Sequence, residues 1–200
     1  MFKQKIGSTK AVVIIPEIYG INQYIKDWTD FFRLRDYDTY CVDLGGTYSY
    51  SEGRAAYDHF ITDSGFERYE KVGIEISKLR DRYKKIIIFG SSVGATIAWR
   101  LTENKSCDGM IGYYGSRIRD YLDVNPICPC LLVFPEQEKS FDVQSIIPTL
   151  AQKHSVETLV LQGNHGFADP YGSDFHLQSE KKALAMIEYF LSRIEQSEQI

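Results

Sequence analysis

Two hundred residues, 44% hydrophobic and 25% charged, are the dimensions of one ordinary globular domain able to bury a substantial core. A net charge of −4 offers no general attraction to nucleic acid or to an anionic membrane surface, and no apolar run approaches the length of a membrane span. The opening, MFKQKIGSTK, is polar and basic and lacks the apolar stretch of a secretory leader, so the expectation is a single cytoplasmic domain over residues 1–200.

In chain order, Ala11–Pro16 (AVVIIP) is the first strand-like run. Asn22 then offers a cap to a helix that carries Trp28, Phe31 and Phe32 on one face. A second strand is expected at Thr39–Leu44. Residues 45–66 are rich in glycine, tyrosine and serine, too polar for a core, and read as a lid or cap over a pocket. Val72, Ile76, Leu79 and Tyr83 keep helical spacing. The strand Lys85–Gly90 leads into a helix marked by Val93, Ile97 and Leu101. Three more strands are expected at Asp108–Gly115, Cys130–Pro135 and Glu157–Gly163. A last helix, near 174–192, sets Leu184, Ile187, Leu191 and Ile194 along one stripe.

Most of these strands are continuous apolar runs, which argues for a parallel sheet covered on both faces. Strands alternating with helices then mean an α/β sandwich with right-handed crossovers. The four cysteines, Cys41, Cys107, Cys128 and Cys130, follow no disulfide-scaffold pattern. Cys128-Pro129-Cys130 lacks the spacing and second pair of a zinc site and reads as small apolar residues entering a strand.

The stretch IIIFGSSVGATIAW (Ile86–Trp99) places two serines between two glycines where a strand gives way to a helix. Gly90-Ser91-Ser92-Val93-Gly94 fits G-x-S-x-G in one frame, with Ser92 at the centre. A nucleophile on so sharp a turn has strained backbone angles, and side chains two residues to either side collide. The turn also leaves the hydroxyl exposed and aims the N–H of Val93, at a helix start, toward developing negative charge. The neighbouring strand and helix carry more weight than the five-residue pattern. A phosphate-binding turn is disfavoured, because GSSVGA has neither a Walker lysine nor G-x-G-x-x-G spacing.

A serine needs a base to take its proton and a carboxylate to hold that base in one tautomer. Of the four histidines, His165 lies in a glycine-flanked loop directly after an expected strand, in GNHGFADP. His59 lies in the lid region, His154 in a polar helix end and His176 near the start of the last helix. For the acid, PEQEKSFD (Pro135–Asp142) offers several carboxyls. Glu138 fits the spacing common in hydrolases after that strand. Asp142 is the alternative, although it also stands where it can cap the helix that follows.

With these residues in view, the chain resembles the dienelactone hydrolase family of α/β-hydrolases. The resemblance runs from Ala11 to about Ile194 and rests on PEIYGIN (Pro16–Asn22), YCVDL (Tyr40–Leu44), FGSSVGA (Phe89–Ala95), GYYG (Gly112–Gly115) and NHGFADP (Asn164–Pro170), in the family's order. It implies a three-layer α/β-hydrolase sandwich with a mostly parallel central sheet, reduced at its N-terminal edge. Ser92 is implied as nucleophile, His165 as base, and the N–H groups of Ile18 and Val93 as the oxyanion hole. Glu17 matches a glutamate that lies near the nucleophile in the family. Tyr57, Phe60 and Tyr113 match aromatic pocket positions and suggest room for an acyl or ring-bearing group; the alternative is that they simply pack the lid onto the sheet.

Two departures bear on substrate. Family members that act on dienelactones carry cysteine where this chain has Ser92, so a role for Glu17 in controlling a thiolate–imidazolium pair loses its purpose. They also hold the substrate carboxylate with two arginines. One of those positions falls at Asp169 here, with the charge reversed; the other falls near Gly53, where Arg54 can replace it. An aspartate in place of an arginine turns attraction into repulsion, so dienelactone itself is not the expected substrate.

The expectation is a serine hydrolase acting on a small carboxylic ester or lactone through an acyl-serine, with neither metal nor organic cofactor. Its partner is that small molecule, not nucleic acid or membrane, and its oligomeric state, monomer or weak dimer, is left open. Two alternatives stand beside it: a thioesterase or acyltransferase using the same serine, and a non-catalytic binding protein on the same fold.

Overall fold

The apolar runs become strands: those inside the sheet are largely buried on both faces, whereas the last in the chain, at an outer edge, is mostly half-buried. A computed structural model describes residues 1–63, 65–105 and 107–196. Its strands are β1 (Phe2–Gln4), β2 (Lys10–Ile15), β3 (Asp38–Cys41), β4 (Lys85–Ser91), β5 (Gly109–Tyr113), β6 (Cys130–Gln137) and β7 (Val156–Asn164). Its α-helices are α1 (Gln23–Arg33), α2 (Gly53–Thr62), α3 (Tyr69–Ser77), α4 (Val93–Arg100), α5 (Ile147–Ala151) and α6 (Leu177–Gln196). The strands form one seven-stranded sheet in the order β1-β3-β2-β4-β5-β6-β7. Every pairing is parallel except β1 with β3. Beyond β3 at the N-terminal edge lies the short β1, three residues too polar to stand out in the sequence.

Strand alternation sorts the apolar residues into two cores. From β2 and β4, Val13, Ile15, Ile86 and Ile88 face a cluster with Ile76 of α3, Ile97 and Trp99 of α4 and Leu150 of α5. Val12, Ile14, Ile87 and Phe89 face the other way, against Trp28 and Phe32 of α1 and Ile187, Phe190 and Ile194 of α6. Burying each such side chain contributes roughly 1.5–3 kcal/mol. The product is the expected three-layer sandwich.

Several boundaries move. The second strand stops at Cys41, not Leu44: Val42 makes one more bond, N–H to the Ile14 carbonyl at 2.8 Å. The chain then turns where the Asp43 carboxylate accepts from Gly45 N–H at 2.9 Å. α3 ends at Ser77, so Leu79 and Tyr83 lie in turns although both are buried. Tyr83 is held there by its hydroxyl, which donates to Asp38 at 2.6 Å. α6 starts later than expected and runs to Gln196, because the stripe through Leu191 and Ile194 stays buried to its end. All four cysteines are free and buried. No helix among the described residues is long and apolar enough to cross a membrane.

Candidate active site

β4 enters the middle of the sheet and ends at Ser91, and α4 starts at Val93. Ser92 is the single residue between them, with φ +53° and ψ −117°, a conformation that L side chains rarely adopt. The flanking glycines make it possible. A Cβ on Gly94 sits 2.1 Å from the Ile15 carbonyl oxygen, and one on Gly90 sits 2.4 Å from the Gly94 carbonyl oxygen. The first turn of α4 is thereby seated against the end of β2. The two serines separate cleanly: Ser91 is 0% exposed and its hydroxyl has no hydrogen-bond partner among the described residues, whereas Ser92 lines a cavity.

His165 comes from the loop after β7, the loop expected to carry it. Its Nε2 lies 2.9 Å from Ser92 Oγ. Its Nδ1 lies 2.5 Å from Oε1 of Glu138. A carboxylate only accepts, so Nδ1–H donates to Glu138 and leaves Nε2 to accept from the serine hydroxyl. Glu138 stands just past the end of β6, where the pairing with β7 shifts register between Pro135 and Gln137. Such an irregularity re-aims the following side chain, and that of Glu138 is 4% exposed. Asp142 is elsewhere: it caps the next short helical turn, accepting from Gln144 N–H at 3.0 Å. Between the two alternatives for the acid, the fold brings Glu138 to the imidazole.

The cavity above Ser92 encloses about 220 Å³ and is lined by Glu17, Ile18, Tyr19, Tyr50, His165 and Asp169 among others. Ile18 and Ser92 thus both line the cavity, and Val93 begins α4, whose first N–H groups have no acceptor within the helix. Glu17 is 5% exposed. Its pKa is pushed up to about 8, first by burial and then by the neighbouring negative charge of Asp169, with the Asn22 amide pulling the other way. Asp169, 3% exposed, is also raised by burial. It accepts from the Tyr50 hydroxyl at 2.6 Å and from Tyr171 N–H at 2.9 Å.

Four of the expected substrate contacts fall outside this cavity. Arg54 is 91% exposed in its side chain and pairs with Asp58 along α2, so it points to solvent. Tyr57 and Phe60 pack α2 onto the core, and Phe60 stacks edge-on against Phe66 at 5.1 Å. Tyr113 faces the α1 and α6 side of the sheet, among Trp28, Phe89 and Phe167. Its strand is buried on both faces, and nothing in so apolar a run tells which way each ring points. The aromatic walls are instead Tyr19 and Tyr50. Tyr19 directly follows the Glu17-Ile18 pair, which was the available signal; Tyr50 had none beyond its place in residues 45–66. Of the other histidines, His59 bonds Tyr48, His176 bonds Ser179, and His154 is exposed. Among the described residues no group of three or more His, Cys, Asp or Glu could hold a metal ion.

Sheet order, two-sided helical cover and the strained serine bend are together those of the α/β-hydrolases. Within that class the match is specific. The model of the Dienelactone hydrolase family aligns over residues 2–195, and the chain belongs to that family. It is 34% identical over 181 residues to the uncharacterized protein YczH of Bacillus subtilis (strain 168), covering 88% of this chain and 89% of that one. Among solved structures, it resembles the dienelactone hydrolase-like promiscuous phosphotriesterase P91 from metagenomic libraries, with a TM-score of 0.75 at 13% identity over 95% and 88% of the two chains. It also resembles Est1E from Butyrivibrio proteoclasticus, with a TM-score of 0.61 at 14% identity over 97% and 93%. At such identities the likeness to these structures is one of fold.

Proposed function

We propose that the chain is a serine hydrolase that cleaves a small carboxylic ester or lactone through an acyl-serine intermediate. The observation that carries this reading is the hydrogen-bonded chain from Ser92 Oγ through His165 to Glu138, opening on one cavity. Ser92 Oγ attacks the ester carbonyl carbon while His165 Nε2 takes the hydroxyl proton. Glu138 steadies the resulting imidazolium. The carbonyl oxygen becomes an oxyanion that the N–H groups of Ile18 and Val93 receive, each such donor typically contributing about 3 kcal/mol. His165 returns the proton to the leaving oxygen as the carbon–oxygen bond breaks. A water molecule, deprotonated by the same imidazole, then releases the acid and restores Ser92.

Residues 45–66, of which 64 lies outside the described residues, act in this reading as a cap, with Tyr50 reaching into the cavity. The Asp169 carboxylate on the wall repels an anionic lactone, so neutral esters are turned over in preference to dienelactone. The family membership supports hydrolysis as the reaction class.

The test is labelling with a fluorophosphonate, which phosphonylates an activated serine. One equivalent should be incorporated at Ser92, and Ser92→Ala should abolish both labelling and ester turnover. Absence of labelling in the folded wild-type chain rules the reading out.

A further inference from the structure

The cavity over Ser92 holds an imbalance of charge. Three carboxyl groups line it, Glu17, Asp169 and Asp174, and its lining contains no lysine or arginine. None of the three forms an ion pair with a lysine or arginine among the described residues. Asp174 is exposed and bound by the Asn164 amide at 2.8 Å, but Glu17 and Asp169 are buried. Among the described residues the one hydrogen bond to the Glu17 carboxyl comes from Asn22 and is long, 3.5 Å, to Oε1, and Oε2 receives none. Asp169 is better bonded, yet by neutral donors, Tyr50 O–H and Tyr171 N–H. A fourth carboxyl group, that of Asp27, adds to the negative field around it.

Buried carboxyls are normally matched by a cation or by a full set of donors. The Glu17 carboxyl, nearly unpartnered and holding its proton at neutral pH, lies beside the Asp169 carboxylate. Together they leave a position that a positive group from outside can fill, with Glu17 releasing its proton as the cation enters. The walls suit a particular kind of cation. Tyr19 and Tyr50 stand edge to face, with ring centroids 4.9 Å apart, and both line the cavity. Aromatic walls attract alkylated ammonium groups, which shed water more readily than a metal ion.

We propose that this cavity selects small esters bearing an organic cation, an amine or quaternary ammonium group, held against the Asp169 and Glu17 carboxyls alongside the Tyr19 and Tyr50 rings. The proposal names the substrate class for the hydrolase reading above and rests on it. No added chemistry is required, since the cation takes no part in bond making or breaking.

The experiment uses wild-type chain and pairs of compounds that differ only in carrying nitrogen or carbon at the charged position. Choline and 3,3-dimethylbutan-1-ol are compared as protectants of Ser92 against fluorophosphonate labelling. Acetylcholine is compared with 3,3-dimethylbutyl acetate, and betaine methyl ester with methyl 3,3-dimethylbutanoate. Each kcat/KM ratio is divided by the ratio for the uncatalysed hydroxide reaction, which removes the intrinsic reactivity of the charged ester. Choline should protect at a concentration about tenfold or more below that of the alcohol, and at least one cationic ester should be favoured to a similar degree. The preference should shrink in Asp169→Asn, and in wild type as ionic strength rises.

If Ser92 is labelled but both the protection ratio and the ester ratios stay near or below one, the cation site is overturned and the hydrolase reading stands. A preference that survives intact in Asp169→Asn overturns the assignment to these carboxyls. If Ser92 in the folded chain is not labelled, the hydrolase reading fails and the substrate class fails with it.

Discussion

His165 Nε2 lies 2.9 Å from Ser92 Oγ across 73 residues of sequence, and the same ring reaches Glu138 across 27. The three side chains follow the C-terminal ends of three parallel strands, β4, β6 and β7, which deliver them to the same end of the sheet. In the mechanism proposed above, that arrangement makes Glu138 the residue that decides the imidazole's tautomer. Glu138→Gln should lower kcat by about 10³–10⁴, since an amide can present its N–H to the ring and hold the wrong tautomer. Asp142→Asn should leave kcat within about threefold and cost at most about 1 kcal/mol as a weakened cap. Turnover of a chromogenic ester by the two variants checks this, and the reverse ordering would remove Glu138 from the mechanism.

Ser92 occupies a strained backbone conformation in the interest of an exposed hydroxyl. Replacing it by glycine relieves strain of roughly 1–3 kcal/mol, partly offset by the greater freedom of glycine in the unfolded chain. Ser92→Gly should therefore unfold at higher urea than wild type, by a net of about 1 kcal/mol, while hydrolysing nothing. A lower midpoint would mean that the bend is not strained.

The glycines around the bend differ in kind. At Gly94 the obstacle is main chain, the Ile15 and Pro16 carbonyl oxygens at 2.1 and 2.5 Å from a Cβ. Gly94→Ala should cost about 3 kcal/mol or more, because backbone at the end of a central strand cannot step aside. Gly166, next to His165, has φ +87°, and among the described residues nothing beyond its own chain neighbours lies within 4 Å of a Cβ. Gly166→Ala should cost only the conformational term, about 1–2 kcal/mol. Equal denaturation midpoints for the two variants would contradict this.

Glu17 makes stability depend on pH in an unusual direction. Its pKa rises from 4.5 to about 8 on folding, so between those values the folded chain keeps a proton that the unfolded chain has lost. Stability contributed through this group falls across that window, by up to about 1.4 kcal/mol per pH unit, and levels off above it. The groups facing it are the Asp169 carboxylate, the Tyr19 phenol and the Asn22 amide, with Tyr50 and His165 across the cavity. Glu17→Gln, neutral at every pH, should gain on wild type in thermal unfolding as the pH is raised from about 4.5 to 8. A constant difference would show that Glu17 is ionised throughout.

What was legible in the sequence is what local pattern and covalent order control. Apolar runs, most of them continuous, marked the six longer strands, because a strand buried on both faces, as the inner ones are, needs no polar alternation. The choice of Ser92 over Ser91 followed from the glycine two residues to either side, and His165 followed from its loop after a strand. The rest depended on which way a side chain faces once the sheet is assembled. Tyr57, Phe60 and Tyr113 look like pocket residues in one dimension but pack into cores, while Tyr19 and Tyr50 meet above Ser92 from separate loops. Glu138 and Asp142 are four residues apart and equally acidic on paper. The register shift at the end of β6 sends one to the imidazole and leaves the other to cap a turn. The pairing of Glu17 with Asp169, more than a hundred residues away, is likewise tertiary: burial and mutual repulsion act only where folding has removed water and brought the two carboxyls together.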